Sequence, residues 1–474
     1  MFESIADRRL PLLLVLILLL AGCASAPERV DYRATGVFPE PPEIADNVAF
    51  WRNVYASWSR GEVAIHDNEH LGVVYEVARL PGPVREGYTP EQRDFVQARR
   101  LYHQRRLADL EIKHASGQRL SRDERELRDR LVSAGGPNAV AGASERIRVQ
   151  RGLRERFHRG LEISGRYDAI FRDIMRTHGV PEDLAYLPHV ESSFQLNARS
   201  GVGAAGVWQF MPATGREYMR VTSAVDERLD PVIAADAAAR YLRNAHNRLG
   251  SWPLAVTSYN HGVGGMLNAR AQFGDDFGAI ARNYRGRAFG FSSRNFYASF
   301  LAAREVASQP HRHFPEGVRF AQPLQEDRLI LRRDLLATDV ARHYGVSVPQ
   351  LADLNLAWRD PVRNGQATLP AGSTVWLPRG ALHRVAGHPE PRAILVAQTT
   401  PPRAAAPPAP PARPAASRVA PAQAPVRHHV VQPNENLYRV ALRYELSVDE
   451  LRRLNQMAPN DNTIRVGQRL RISG

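Results

Sequence analysis

The 474-residue sequence predicts a multidomain chain, with a mainly α central domain and small α+β modules of βααβ order toward its end. Three observations predict it. Apolar residues recur at helical spacing through most of residues 145–310. A segment beyond residue 327 occurs twice, which is the signature of a repeated supersecondary unit. A Pro/Ala-rich stretch at 389–427 separates the two copies and is too poor in large apolar residues to build a core.

Composition sets the outer bounds. The length allows several domains that each bury a core. The formal net charge is +14, and Lys113 is the only lysine, so arginine supplies nearly all the positive charge. Such a balance favours anionic partners, whether nucleic acid, phospholipid headgroups or acidic wall polymers. The arginines are spread along the chain with no nucleic-acid-binding motif, so nucleic acid is not expected as a partner. A generally basic surface explains the charge as well as a dedicated anion site does. Cys23 is the only cysteine, which excludes a disulfide framework and zinc-type cysteine spacing. No metal or cofactor is expected.

Residues 1–22 read as a secretion signal, with Arg8 and Arg9 ahead of an apolar run at 12–20. That run falls well short of the roughly 20 residues a spanning helix needs. It ends in Leu19-Leu20-Ala21-Gly22-Cys23, which resembles a bacterial lipobox. The resemblance implies cleavage before Cys23, diacylation of its sulfur and acylation of the new amino terminus, an anchor of several chains. Ala24 and Ser25 follow, with no Asp beside the cysteine. By the sorting rules of that class, this implies an outer-membrane lipoprotein facing the periplasm of a diderm bacterium. An ordinary cleaved signal is the alternative.

Residues 23–95 open with a Pro-rich tether (Pro39, Pro41, Pro42) and continue as a region of mixed character. Trp51, Tyr55 and Trp58 share a helical face there, a pattern of packing rather than binding. Residues 96–144 are densely charged, with opposite charges at i, i+4 spacing, and predict an exposed helical hairpin. In the domain at 145–310, Asp230-Pro231 is a helix start, the helix stops at Gly250, and further helices carry Trp252 to Tyr259 and Asn295 to Glu305.

The repeat aligns Tyr344-Gly345-Val346-Ser347-Val348-Pro349-Gln350-Leu351 with Tyr444-Glu445-Leu446-Ser447-Val448-Asp449-Glu450-Leu451. In each copy Ser-x-x-Gln/Glu forms a capping box, and a strand follows at 374–377 or 468–472. The βααβ order resembles LysM modules, which implies binding to N-acetylglucosamine-containing glycans. The copy at 428–474 is regular. The copy at 328–380 is degenerate, with an irregular stretch at 358–370, and a purely packing role stands beside a binding one.

Three motifs carry the chemistry. His189-Val190-Glu191-Ser192-Ser193-Phe194 sets one carboxylic acid against apolar neighbours at a helix end, where desolvation raises its pKa toward that of a general acid near neutrality. Gly206-Val207-Trp208-Gln209-Phe210-Met211-Pro212-Ala213-Thr214 and Ser258-Tyr259-Asn260-His261-Gly262 each add a carboxamide with aromatic company, suited to sugar hydroxyl and acetamido groups. Trp208 either stacks on a sugar or fills core.

In this order and spacing the motifs resemble the catalytic domain of soluble-type lytic transglycosylases, related to goose-type lysozyme. With the lipobox and LysM-like modules, the whole resembles membrane-bound lytic murein transglycosylases of the D type. The resemblance implies a lysozyme-like fold at 145–310 and cleavage of peptidoglycan glycan strands between N-acetylmuramic acid and N-acetylglucosamine, without water, leaving a 1,6-anhydro end. It implies Glu191 as the acid and then the base. It also implies Ser192, Gln209, Tyr259 and Asn260 as substrate-binding residues. A fourth motif carries a tyrosine near the domain's end, here Phe296 or Tyr297, and Tyr297 is the expected one because a phenol can reach the acid. Glycosidases usually pair two carboxylates. Asp226, Glu227 and Asp230 lie in the same domain, although Asp230 suits the helix cap. A hydrolytic muramidase and a non-catalytic LysM lipoprotein are the alternatives.

Overall fold

The computed structural model describes residues 36–385, the strand at 393–395 and, within 428–473, two strands, one helix and scattered positions between them. The signal, Cys23 and most of the Pro/Ala-rich stretch lie outside the described residues. The chain divides into two compact units, residues 1–403 and 404–474. The larger is mostly helical, and the smaller carries strands beside a helix.

The first unit opens with a 3-10 turn, Pro42–Ile44, then α1 (Ala45–Arg52), which runs directly into a five-residue π-helical turn, Asn53–Ser57. Strands β1 (Glu62–Asp67), β2 (Val74–Arg79) and β3 (Ile147–Arg151) form an antiparallel sheet in the order β2-β1-β3. Between β2 and β3 the chain makes the helical hairpin, α2 (Pro90–Ala115) and α3 (Arg122–Gly135). Both helices start at full capping boxes, Thr89 with Gln92 and Ser121 with Glu124, which satisfy amide groups the first turn leaves open. Leu107, Leu110, Leu127 and Leu131 point inward against Ile65 and Ile147 of the sheet, while the charged positions stay outside.

The helical body follows: α4 (Arg154–Ser164), α5 (Asp168–Thr177), α6 (Leu187–Glu191), α7 (Pro212–Tyr218), α8 (Pro231–Leu249), α9 (Trp252–His261), α10 (Val263–Phe273), α11 (Phe277–Asn283), α12 (Phe291–Ser308) and α13 (Pro310–His313). Helix α8 is its axis. Asp230 accepts from the amides of Val232 and Ile233 at 2.9 and 3.0 Å, and Gly250 ends the helix in the left-handed conformation at φ 68°. The alanines of α8 are fully buried, which lets α5 and α9 approach closely.

One expectation needs correcting. The segment around Pro39–Pro42 is not a tether; it belongs to the helical body. Phe38 is buried edge-on to Phe300 of α12 at 5.2 Å, and Ile44, Val48, Phe50, Val54 and Tyr55 join the same core as α4–α12. Burying a side chain of this size contributes about 1.5–3 kcal/mol, so this row of apolar residues prefers packing to extension.

The degenerate repeat forms β4 (Asp327–Leu331), α14 (Ala337–Tyr344), α15 (Val348–Leu354), α16 (Asp360–Arg363), β5 (Thr374–Leu377) and α17 (Ala381–Arg384). Strand β4 pairs antiparallel with β5, and on its other edge with β6 (Ala393–Leu395), at the start of the stretch expected to be spacer. The module is fastened to the helical body: the Asp226 amide donates to Ala357 O at 2.7 Å, and Val225 lies in the module's core.

In the second unit β7 (His428–Val430) pairs antiparallel with β8 (Arg469–Arg471), and α18 (Val448–Leu454) packs on β8. Val431, Leu437, Val440, Leu451 and Leu470 make its core. No described helix is long and apolar enough to cross a membrane.

Candidate active site

Glu191 is the last residue of α6, a five-residue helix opened by Leu187-Pro188. Its neighbours in the chain Leu184, Leu187 and Phe194 are buried, and Glu191 itself is partly buried. Desolvation pushes its pKa up to about 8. The C-terminal end of a helix disfavours a negative charge in the same sense. Glu191 therefore carries its proton at neutral pH. His189, two residues before it, is buried between Phe157 and Phe194, and burial pushes it down to about 3, so it is neutral and adds no positive charge beside the acid.

The backbone after the acid is unusual. Four described non-glycine residues have positive φ, and three lie in the motifs: Ser193 at 51°, Phe194 at 57° and Gln209 at 51°. Each sits in the left-handed region that non-glycine residues avoid, a cost that persists where surrounding structure enforces it and that clusters at functional sites.

Ser192 is buried behind the acid. Its hydroxyl lies 2.9 Å from Val207 O and 3.2 Å from Pro188 O, tying α6 to the loop that carries Gln209. The expected substrate contact thus becomes an internal tie, because both neighbours are main-chain oxygens. In that loop Gly206 has φ 78°, and a Cβ there would stand 1.8 Å from Arg228 O. Arg228 grips the loop, donating to Gly203 O at 2.8 Å and Phe210 O at 3.0 Å.

Gln209 donates its side-chain amide to Gly206 O at 2.7 Å, which leaves its carbonyl oxygen as the group to offer a ligand. Asn260, exposed at the end of α9, accepts from the Ser293 hydroxyl at 2.8 Å, which leaves its NH2 as donor. The two carboxamides thus present opposite polarity. Tyr259 donates to Trp208 O at 2.9 Å, and its phenol lies in the field of Glu191, which helps hold its pKa far above the usual range behind the larger effect of burial. Trp208 is fully buried, with its indole N–H on Pro231 O at 3.3 Å, so it fills core.

Tyr297 is placed elsewhere. It is fully buried, donates to Pro39 O at 2.8 Å and packs edge-on to Phe277 at 4.8 Å. Tyr55, on the π-helical turn, is buried with its ring stacked on Phe157 at 4.9 Å. The packing role that its spacing with Trp51 and Trp58 predicts is the one the structure shows.

The three carboxylates weighed as a second acid, Asp226, Glu227 and Asp230, are engaged. Asp226 is fully buried in a two-pronged pair with Arg228 at 2.8 and 2.9 Å, with Arg359 at 3.1 Å. Glu227 accepts from the Arg220 amide at 2.7 Å, and Asp230 caps α8. No group of three or more His, Cys, Asp or Glu among the described residues is placed to hold a metal ion.

A family profile described as Transglycosylase SLT domain matches residues 168–278, the stretch that supplies Glu191, Gln209, Tyr259 and Asn260. The chain carries an SLT domain. A LysM domain profile matches residues 429–473, so the regular repeat copy is a LysM domain. The chain is homologous to membrane-bound lytic murein transglycosylase D of Escherichia coli strain K12, with 30% identity over 195 residues, 38% of this chain and 40% of that one. It thus spans about two fifths of the length of that curated relative. A membrane-bound lytic murein transglycosylase F 2 of Alkalilimnicola ehrlichii is 36% identical over 121 residues, 24% of this chain and 26% of that relative. Among solved structures, the 70 kDa soluble lytic transglycosylase of Escherichia coli aligns with a TM-score of 0.27 at 19% identity, over 32% of this chain and 25% of that one.

Proposed function

We propose that the SLT domain cleaves the β-1,4 bond between N-acetylmuramic acid and N-acetylglucosamine in peptidoglycan, as a lyase that leaves a 1,6-anhydro-N-acetylmuramic acid end. The observation that carries this reading is the single acid: Glu191 is held neutral at pH 7, and Asp226, Glu227 and Asp230 are all tied into internal bonds. A two-carboxylate mechanism needs a second carboxylate free to activate water or attack the sugar. The single-acid route does not.

In that route Glu191 gives its proton to the leaving glycosidic oxygen as the C1–O bond breaks. The substrate's own acetamido oxygen shares the positive charge that develops at C1. The Glu191 carboxylate then takes the proton of the C6 hydroxyl, and O6 closes on C1, so the acid returns to its starting state with no water consumed. The free oxygen of Gln209 and the free NH2 of Asn260 suit the hydroxyl and acetamido groups of the glycan.

The LysM domain at 429–473 supports retention on glycan strands. We infer from the lipobox-like Leu19–Cys23 stretch that Cys23 carries a lipid anchor at the periplasmic face of the outer membrane, in keeping with the membrane-bound relatives. Labelling by an alkyne fatty acid in cells, lost in Cys23→Ala, tests the anchor.

The test of the reaction is mass spectrometry of purified sacculi digested by the full chain and by Glu191→Gln. The expected products are muropeptides ending in 1,6-anhydro-N-acetylmuramic acid, absent with the variant. Reducing ends that take up oxygen from labelled water would make the enzyme a hydrolase, and sacculi bound but uncut would leave a binding protein.

A further inference from the structure

A cavity of about 480 Å³ lies between the N-terminal region and the helical body, and no residue of the three motifs lines it. Small-molecule sites span about 300–1,000 Å³, so the volume is enough for a ligand of that class. Its walls come from the start of α1, the β1–β2 turn, the end of α3, α11 with the loop after it, and the first turn of α12. All of these residues lie outside 168–278, the stretch that the SLT profile matches. The cavity is therefore built from what this chain adds to that domain.

Its charges are sorted by origin. The helical body supplies Arg282, Arg285 and Arg294, and the N-terminal region supplies Glu43, Asp46 and Glu69. Among the described residues none of the six makes an ion pair. Further along the same two helices, where no cavity intervenes, Arg52 of α1 and Glu305 of α12 close on each other at 2.7 Å. The walls are held in place: Asn47 donates to Asn295 Oδ1 at 2.8 Å, and a Cβ at Gly278 would stand 2.5 Å from Glu43 Oε2. Arg294 is half-buried, and its Nε is buried with no hydrogen-bond partner, a state that costs free energy unless a ligand relieves it. Burial lowers its pKa and the Arg285 charge lowers it further, the mark of a cation short of counter-charge. Arg285 itself donates only to main-chain oxygens, Arg282 O at 2.7 Å and Tyr284 O at 3.3 Å. The cavity is also joined to the active site, because Arg294 follows Ser293, the residue that orients Asn260.

A simple anion would satisfy Arg294 and leave three carboxylates facing it. A ligand that carries both signs satisfies both walls. We propose that this cavity binds the zwitterionic end of the peptide borne by N-acetylmuramic acid, with a carboxylate on Arg294 and an ammonium toward Glu69. An arginine fork suits a carboxylate, and a diamino dicarboxylic acid in that peptide carries the two charges together. Cross-linking converts the ammonium to an amide, so the cavity selects stems that are not cross-linked through that amine. The inference rests on the reading of peptidoglycan as substrate and adds which part of it the N-terminal region grips.

The test is calorimetric titration of the full chain with the N-lactoyl tripeptide of L-alanine, D-glutamate and meso-diaminopimelate. This probe has no sugar and no glycosidic bond, so its signal depends neither on glycan binding nor on cleavage. Binding is expected, and it should vanish when the ammonium is acetylated or the diaminopimelate carboxylates are amidated. Arg294→Gln and Glu69→Gln should each weaken it by about tenfold or more, the size of one hydrogen bond to a charged group. Intact binding of this kind beside a failure to release anhydro-muropeptides would strike the proposed reaction and leave the site standing. No binding, equal binding of the capped peptides, equal affinity in both variants, or full displacement by equimolar inorganic phosphate would overturn the proposal. Should Arg294→Gln fail to fold, Glu69→Gln, at an exposed position, decides together with the capped peptides.

Discussion

Trp376 of strand β5 donates its indole N–H to Asp230 Oδ2 at 2.7 Å, while Oδ1 of the same carboxylate accepts the two amides that open α8. One buried side chain thus caps the central helix of the SLT domain and fastens the degenerate repeat to it. Removing the donor while keeping aromatic bulk, in Trp376→Phe, leaves a buried carboxylate oxygen without its partner. That costs about 1–3 kcal/mol. Calorimetry should show a lower unfolding temperature for the larger unit as a whole, because the lost bond joins two of its layers. An unchanged temperature would mean the module only leans on the domain.

Glu191→Gln should stabilise the fold as it removes activity. Burial raises the carboxyl from the ordinary 4.5 to about 8. Between those values the folded state holds a proton that the unfolded state has lost, so this residue makes stability fall as pH rises through the window. Below pH 4.5 both states are protonated and the penalty vanishes. The neutral amide escapes it altogether. Urea unfolding should show Gln and Glu forms alike at pH 4, and the Gln form ahead at pH 8 by on the order of 1–2 kcal/mol, allowing for solvent contact at the partly open site. Activity of the parent should decline above about pH 8 as the acid loses its proton.

Much of this was legible in the sequence, and the misses share a physical cause. The Asp230 cap, the Gly250 stop and the capping boxes of the repeat are local devices, so each could be read from a few adjacent residues. Asn355 and Asn455, aligned in the repeat, each fasten the end of a helix to the last strand of their module, accepting from the backbone N–H of Trp376 at 2.8 Å and of Arg471 at 2.7 Å. The first two motifs stand out because they encode turns in which Ser193, Phe194 and Gln209 take positive φ. What could not be read was tertiary. Phe38 and Tyr55 reach the helical body across more than a hundred residues, and their spacing is that of any core helix. Tyr297 and Phe296 are neighbours on α12, and only the packing of Pro39 against that helix decides where the Tyr297 hydroxyl goes.

Gly206→Ala should abolish both folding of the Gln209 loop and activity. The position combines φ 78° with an approach that would put a Cβ 1.8 Å from Arg228 O, a main-chain atom that cannot rotate away. Either the loop or the Arg228 backbone must shift. Arg228 is itself locked by the buried Asp226 pair, so the loop is the softer party. A loss of at least about 3 kcal/mol is expected, in the range of severe backbone incompatibility. The check is denaturant unfolding together with release of anhydro-muropeptides.

The strain at Gln209 gives a sharper test, because it separates stability from chemistry. A non-glycine residue at φ 51° costs about 1 kcal/mol relative to glycine. Gln209 offsets part of this through its amide bond to Gly206 O. Gln209→Ala keeps the strain and loses the bond, whereas Gln209→Gly loses both. The glycine variant should therefore be the more stable of the two, by about 1 kcal/mol in urea unfolding. Neither presents the carbonyl oxygen to a ligand, so both should lose most activity on sacculi. A protein that gains nothing from Gly over Ala at this position would mean that the turn is set by the loop's other contacts. If the two variants instead recovered activity in step with stability, Gln209 would be a structural residue, and the glycan contact would have to come from elsewhere on the loop.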